Sequence, residues 1–195
     1  AFDVPGGVVY SDPTLMESKN LLFYTTFRNI RKVKKTREYE VHPEIFFSTI
    51  SAEGTLTDTK AFPINDATKY GVMHPFIDEK GMKIFFASDM PGGLGGFDLY
   101  YISYDDALNF GSPVNLGPVI NTSEDESHPF IMEGKFFFSS KGHAGLGGMD
   151  IFNSTISNGA FGNVENMGVP FNSPRDDFGY YITSKGKRYL SSDRK

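Results

Sequence analysis

The sequence has 195 residues, 39% of them hydrophobic and 15% aromatic, and its formal net charge of −5 excludes a net basic nucleic-acid-binding protein. The absence of Cys excludes a disulfide framework and a Cys-ligated zinc site. No apolar run reaches the roughly 18 to 20 residues of a membrane-spanning helix, so we expect no transmembrane segment.

The first third of the chain predicts a degenerate copy of a unit that recurs later. Strand-like segments lie at 22–26 and 44–51, and a strongly basic segment separates them. It is either a solvated hairpin extension or a contact site for an acidic protein or an anionic surface. The candidate partner-binding residues of this segment are Arg28, Arg31, Lys32, Lys34, Lys35 and Arg37.

The second unit contains four short segments typical of β-strands, at 74–77, 83–88, 98–104 and 113–117. Turn residues separate these segments, and a glycine-rich run precedes the third. The 21 Gly and 11 Pro of the chain, together with its 19 Phe and 10 Tyr, also favour short strands and tight turns over long helices.

The same pattern recurs about 52 residues later. Gly-Leu-Gly-Gly-Phe-Asp at 93–98 matches Gly-Leu-Gly-Gly-Met-Asp at 145–150, and the aromatic segment 84–88 matches 136–140 at the same offset. Residues 178–193 read as the first half of a further copy. The predicted units are 11–72, 73–126, 127–177 and the incomplete 178–195.

Four antiparallel strands per repeated unit predict an all-β fold, a β-propeller built from four-stranded antiparallel blades. One domain over residues 1–195 would hold about three and a half blades, a partial propeller. Because propellers usually have four to eight blades, we expect the sequence to belong to a longer chain or to receive blades from elsewhere.

The glycine motifs have a structural interpretation, because glycine reaches positive φ and allows close approach of neighbouring backbone. The aspartates that end the motifs can accept hydrogen bonds from loop amides, and two histidines occupy equivalent positions before proline. These repeat-motif residues are Gly93, Gly95, Gly96, Asp98, Gly145, Gly147, Gly148, Asp150, His74 and His128.

The combination of His-Pro-Phe, Phe-Phe-x-Ser, Gly-Leu-Gly-Gly-x-Asp and Asn-x-Gly-x-x-x-Asn resembles the WD40-like repeat related to the TolB propeller. Segments 93–100 and 115–122 look like the version found in OmpA-family peptidoglycan-associated lipoproteins, including a type IX secretion system component. The first unit departs from that pattern, since it lacks the glycine motif. The helical repeats and the OmpA-like module of that family are not present in this sequence.

The resemblance implies a non-catalytic interaction scaffold of a bacterial cell-envelope complex of the type IX secretion and gliding machinery. It implies a periplasmic, outer-membrane-associated location and other envelope proteins as partners. Peptidoglycan would be reached only through a module absent from this sequence. On this interpretation the protein is not an enzyme, and it has no catalytic residue and no cofactor.

Metal binding is not predicted. His74 and His128 share a repeated position, which favours a repeated structural task, and Asp12 before Pro13 is the first copy of that position. His42 and His143 lie in loops without a ligand spacing. The acidic connections 121–126 and 172–177 are either solvated linkers or calcium-binding loops, and they lack EF-hand spacing.

The alternative function is a glycan-binding or glycan-hydrolysing propeller. Aromatic residues such as Phe97 and Tyr101 could stack on sugar rings. Two carboxylates at the propeller axis could hydrolyse a glycosidic bond if they lay a few ångströms apart, and the sequence does not place Asp98 and Asp150 relative to a substrate. No Gly-x-Ser-x-Gly or Walker motif is present, and the absence of Trp excludes the sialidase-type repeat.

Overall fold

A computed structural model describes residues 9–27, 30–32 and 39–194, with the backbone alone at 9–10, 30–32 and 39–41. Within these ranges the only helical segment is a single 3₁₀ turn at Glu17–Lys19. All other regular structure is β-strand, as the composition predicts.

Three antiparallel sheets of four strands follow one another along the chain, and a two-stranded sheet follows the third. The strands of the first blade are β1 (Val9–Met16), β2 (Leu21–Phe27), β5 (Glu44–Ile50) and β6 (Leu56–Ala61). Those of the second are β7 (Val72–Asp78), β8 (Lys83–Ser88), β9 (Asp98–Ser103) and β10 (Val114–Asn115). Those of the third are β11 (Glu126–Met132), β12 (Lys135–Ser140), β13 (Asp150–Ser157) and β14 (Ala160–Asn166). The half blade consists of β15 (Asp177–Ile182) and β16 (Arg188–Ser192).

The protein is therefore a partial β-propeller of about three and a half four-stranded antiparallel blades, as the repeats predict. The glycine-rich connection of the later blades is replaced in the first blade by a small hairpin of β3 (Ile30–Lys32) and β4 (Tyr39–Val41). No helix among the described residues has the length and apolar character needed to cross a bilayer.

The hydrophobic core lies between the blades. Along β8, Ile84 and Phe86 pack in the cluster shared with the first blade, whereas Phe85 and Ala87 pack in the cluster shared with the third. Successive side chains of a strand point to opposite faces of its sheet. A strand whose sheet lies between two neighbouring blades must therefore be apolar on both faces. This explains why the segment 84–87 is a continuous apolar run instead of an alternating one.

The first strand of each blade lies on the side where the blades meet. β1 contacts β7, β7 contacts β11, and β11 contacts β15, so these four inner strands mark the propeller axis. Each inner strand is an edge of its own sheet, since it pairs with a single neighbour. Side chains that leave these edges towards the axis can therefore meet side chains from other blades.

Candidate functional site

Every inner strand carries the same bulge. Two residues of the inner strand face one residue of its partner between Ser11 and Thr14, and the same irregularity interrupts β7, β11 and β15. The first bulge residue has positive φ in all four blades: 50° at Asp12, 54° at His74, 50° at His128 and 65° at Gly179. Asp and His tolerate this left-handed conformation better than most residues. Bulges of this kind redirect a side chain, here towards the axis.

The bulges bring three polar side chains from three blades together. Nε2 of His74 lies 3.6 Å from Oδ2 of Asp12, and Nε2 of His128 lies 3.8 Å from Oδ1 of the same carboxylate. The two imidazole rings are stacked, with centroids 3.7 Å apart and an interplanar angle of 22°. Gly179, at the fourth equivalent position, adds no side chain. We call Asp12, His74 and His128 the axial triad.

The axial triad is mostly buried, with side-chain exposures of 12% for His74, 18% for His128 and 28% for Asp12. Burial lowers the pKa of His74 well below 6.5, and the neighbouring His128 lowers it further. Burial also lowers the pKa of His128, against the opposing effect of the Asp12 carboxylate. Both imidazoles are therefore neutral at pH 7.

Hydroxyl groups of neighbouring residues form hydrogen bonds with all three residues of the triad. The Ser11 hydroxyl donates to Oδ2 of Asp12 at 2.6 Å, and the backbone N–H of His74 donates to Oγ1 of Thr25 at 3.0 Å. Nδ1 of His128 lies 2.9 Å from Oγ of Ser127. Nδ1 of His74 is buried and has no hydrogen-bond partner among the described residues.

Two cavities meet at the stacked imidazoles. The larger, of about 590 Å³, follows the inner strands and is lined by the axial triad, Glu17 and apolar side chains that include Phe76, Phe130 and Tyr181. We call it the axial groove. The smaller, of about 360 Å³, lies on the side of the glycine-rich loops and the inter-blade connections, and we call it the loop-side cavity. The residues that line the loop-side cavity are Met73, His74, Phe97, Asp125, Glu126, Ser127, His128, Lys141, Met149, Asp176 and Phe178.

Two carboxylates of the loop-side cavity occupy equivalent positions at the ends of successive inter-blade connections. Oδ1 of Asp125 accepts a hydrogen bond from the backbone N–H of Phe97 at 3.0 Å, and Oδ1 of Asp176 accepts one from Met149 at 2.7 Å. Oδ2 of Asp125 accepts a hydrogen bond from the Lys141 ammonium at 2.7 Å. Burial raises the pKa of Asp125, but Lys141 and the Phe97 amide outweigh burial, so the pKa is lowered and the carboxylate is ionised.

The repeat-motif aspartates lie inside the blades, away from both cavities. Asp98 is fully buried and accepts hydrogen bonds from the backbone N–H groups of Leu94 and Gly95 at 2.6 and 3.2 Å. Asp150 accepts equivalent bonds from Leu146 and Gly147. Both carboxylates are buried and line neither cavity, so they support the glycine-rich loops.

The motif glycines allow the glycine-rich loop to lie directly on the connection to the next blade. A Cβ at Gly95 would lie 2.5 Å from the carbonyl carbon of Ser123 and 2.6 Å from the carbonyl oxygens of Thr122 and Glu124. At Gly147 it would overlap the carbonyl oxygens of Ser173 and Arg175. At Gly93, Gly96, Gly145 and Gly148 it would instead collide with an aspartate side chain.

Much of the basic segment lies outside the described residues, namely Arg28, Lys34, Lys35 and Arg37. Arg31 and Lys32 lie in β3, of which the backbone alone is described. The interpretation of these six residues as a partner-binding site stays a prediction.

The structure changes the assignment of several other residues. Phe97 lines the loop-side cavity, whereas Tyr101 packs on Phe85 below the Lys83 ammonium.

Among the described residues, the axial triad is the only group of three potential metal-ligating side chains, with donor atoms within 4.8 Å of one another. The sequence correctly placed Asp12, His74 and His128 at equivalent positions of three repeats. It did not predict that their side chains converge.

No protein-family model matches the chain, and no curated protein does. Among solved structures, it is similar to a puromycin-hydrolysing peptidase of Mycobacterium tuberculosis, with a TM-score of 0.54 and 13% identity. This match covers 96% of the chain but 28% of the peptidase, so the chain spans less than a third of that protein.

Two glycosidases match more of their own length. A thermostable family-43 glycoside hydrolase matches with a TM-score of 0.42 and 13% identity, over 97% of this chain and 85% of that one. An α-L-arabinofuranosidase from Lactobacillus brevis matches with a TM-score of 0.38 and 12% identity, over 98% and 87%. At these identities the likeness concerns the fold.

These comparisons correct the functional prediction. The expectation of a non-catalytic envelope scaffold, and of a protein that is not an enzyme, is corrected, because the solved structure that shares this fold at a TM-score of 0.54 is a hydrolytic enzyme, a peptidase. The periplasmic location and the envelope partners stay predictions.

Proposed function

We propose that the protein is a carbohydrate-directed hydrolase that binds a glycan in the loop-side cavity. The observation that carries the proposal is the meeting of two aromatic rings and two carboxylates in one cavity of about 360 Å³ beside the propeller axis. The rings belong to Phe97 and Phe178 and the carboxylates to Asp125 and Asp176. Sites for small ligands combine such apolar walls with a few placed polar groups.

The two rings come from different blades and give the cavity its apolar walls. Phe97 ends the glycine-rich loop of the second blade, and its backbone N–H is fixed by Asp125. Phe178 lies in β15 and packs against His128, with ring centroids 5.2 Å apart. A sugar ring presents C–H groups on its faces and hydroxyls on its rim, so it matches apolar walls with a polar edge.

The two carboxylates have different surroundings. Asp125 is held ionised by Lys141 and suits the carboxylate that activates water or stabilises positive charge at the sugar. Asp176 is exposed, and of its two carboxylate oxygens only Oδ1 accepts a hydrogen bond among the described residues. We assign Asp176 as the second carboxylate of the pair.

Glu126 also lines the cavity, but it is not part of this pair. Its side chain is fully buried, and its oxygens accept hydrogen bonds from Thr122 and Ser140. Burial raises the pKa of Glu126 against the effect of these bonds. This carboxyl therefore serves the fold of the inter-blade connection.

The proposal is tested by incubating the 195-residue chain with p-nitrophenyl α-L-arabinofuranoside, a panel of plant oligosaccharides and peptidoglycan fragments, with chromatographic detection of released sugars. We expect cleavage of at least one glycosidic substrate. Asp176→Asn keeps an oxygen for the Met149 amide but removes the second carboxylate, so it should slow cleavage by about 100-fold or more.

The matched control is Asp58→Asn, an exposed aspartate of β6 with φ of 50°, which Asn also tolerates. This variant should cleave at the wild-type rate. Phe178→Ala should raise KM more than it lowers kcat, because it removes a wall of the cavity. Release of amino acids from peptides with no sugar product, or full activity in Asp176→Asn, would overturn the proposal.

A further inference from the structure

We propose that the axial triad is a binding site for a divalent transition metal, with Asp12, His74 and His128 as ligands and Zn²⁺ as the ion that fits them best. The proposal goes beyond the glycan hypothesis, since metal binding at these atoms requires no glycan in the loop-side cavity. The site lies where the axial groove and the loop-side cavity meet.

The distances from the Asp12 carboxylate to the two imidazoles are close to those between ligands of one ion. At 3.6 and 3.8 Å, the contacts between the imidazole Nε2 atoms and the Asp12 carboxylate are longer than hydrogen bonds of 2.7–3.2 Å. Ligand atoms about 2.0 to 2.2 Å from a tetrahedral Zn²⁺ lie about 3.3 to 3.6 Å apart. Because the two imidazole rings are stacked with centroids 3.7 Å apart, one ring must rotate before both Nε2 lone pairs point at a common ion.

The hydrogen bonds of His128 orient its lone pair towards Asp12. The tautomer of His128 with its proton on Nδ1 has a partner in the Ser127 oxygen at 2.9 Å, because the Ser127 hydroxyl has its own acceptor in Sδ of Met149 at 3.9 Å. Nε2 is then unprotonated and faces a carboxylate oxygen. Two acceptors face each other, and a cation between them relieves their repulsion. A metal-bound imidazole commonly donates its other N–H in this way.

The scaffold also suits a metal. The ligands sit on three strands at identical bulges, which direct their side chains towards one axis. Two imidazoles and one carboxylate form a donor set of catalytic zinc sites, whereas Ca²⁺ prefers oxygen ligands alone. Gly179 fills the fourth equivalent position without a side chain, which leaves one coordination position for water.

The test is metal binding, measured without any substrate. The chelator-treated chain is titrated with Zn²⁺ by calorimetry, and Co²⁺ is added separately to read its coordination from the visible spectrum. We expect one ion per chain, a spectrum of nitrogen and oxygen ligands in low coordination, and a higher Tm with Zn²⁺. Ca²⁺ at equal concentration should produce none of these effects.

His74→Asn and His128→Asn remove ligands while keeping a residue that tolerates positive φ. Each should weaken Zn²⁺ binding at least 100-fold and abolish the rise in Tm, with circular dichroism showing that the blades remain folded. The control is His143→Asn, because Nε2 of His143 bonds the Ile120 carbonyl oxygen at 2.9 Å and is remote from the triad. That variant should bind Zn²⁺ like the wild type.

The results separate this proposal from the glycan hypothesis. One bound Zn²⁺ lost in both triad variants supports the metal site even if no sugar is released. Binding below one ion per chain, or binding unchanged in His74→Asn and His128→Asn, overturns it even if glycan cleavage is found. In that case the triad is a neutral, stacked structural cluster at the axis.

Discussion

At the scale of single residues, the roles of the carboxylates depend on their burial and hydrogen bonds, which the sequence does not display. Asp125 and Glu126 are adjacent in the chain, yet Asp125 has a lowered pKa and Glu126 a raised one. Lys141 contacts Asp125, whereas Glu126 is fully buried. The first suits chemistry in the cavity and the second supports the connection between blades.

Glu126 should make the stability of the fold depend on pH. Burial raises its pKa above 4.5 in the folded state. The favourable contribution of the protonated carboxyl is present below pH 4.5 and is lost as pH rises through the folded pKa. The wild type should therefore lose free energy of unfolding between pH 4 and pH 8. Glu126→Gln should not show this loss, because Gln cannot ionise, so its stability relative to the wild type should rise over this range.

The measurement is the free energy of unfolding in urea at both pH values. The hydrogen bonds that Gln fails to reproduce lower stability equally at both, so only the change with pH is diagnostic. Glu165→Gln, at an exposed position of β14, should differ from the wild type by the same amount at both pH values. An equally constant difference for Glu126→Gln would contradict the assignment.

At the scale of elements, an asparagine ties each inter-blade connection to the third strand of its own blade. Oδ1 of Asn121 accepts from the Leu99 N–H at 2.8 Å, and its Nδ2 donates to the Leu99 carbonyl at 2.9 Å. Asn172 bonds both backbone groups of Ile151 at 2.8 Å. The same bonds link Asn65 to Ile45 in the first blade. This repeated contact explains the asparagine that ends each repeat motif.

Asn172→Ala should lower the free energy of unfolding by about 1 to 3 kcal/mol, because the Ile151 N–H loses its partner while the Ile151 carbonyl oxygen keeps the bond from the Met167 N–H. Chemical denaturation measures the effect. Asn163→Ala, at an exposed position of β14, should change stability by no more than about 0.5 kcal/mol. Equal losses in the two variants would show that the contact with Ile151 contributes little.

At the scale of the whole molecule, the blades depend on one another because each buries its apolar faces against its neighbours. The first and second blades share one cluster, the second and third another, and the third blade and the half blade a third. Phe86 is fully buried in the cluster between the first and second blades. Its ring makes an edge-to-face contact with Phe62 of the first blade, with ring centroids 5.8 Å apart. Loss of one interface should therefore weaken the neighbouring blades.

Phe86→Ala should lower stability by about 3 to 5 kcal/mol and shift the entire thermal transition. Calorimetry with circular dichroism checks both effects. Val119→Ala, at a side chain that is 46% exposed, is the control and should leave the transition nearly unchanged. A second transition at the wild-type temperature would show instead that the blades furthest from Phe86 unfold independently.

The strand pattern could be predicted because it is local. Two local features predicted it: the two glycine motifs lie 52 residues apart, and the segment 84–87 is a continuous apolar run. Each of these features depends on residues within a single blade. The roles of Asp98 and Asp150 were harder to predict, since an aspartate after glycines has the same sequence pattern whether it binds loop amides or faces a cavity. Only the hydrogen bonds to Leu94 and Leu146 decide between these roles.

The sequence by itself determined the architecture of short strands, repeated blades and glycine turns, because backbone preference and alternating burial act over a few neighbouring residues. Only the tertiary structure decided which polar groups meet. Asp12, His74 and His128 lie on three blades, and the rotation between successive blades turns one repeated bulge into a converging triad. Equivalent positions in a repeat can converge at the axis or stay apart at the rim, and the packing between blades makes that choice.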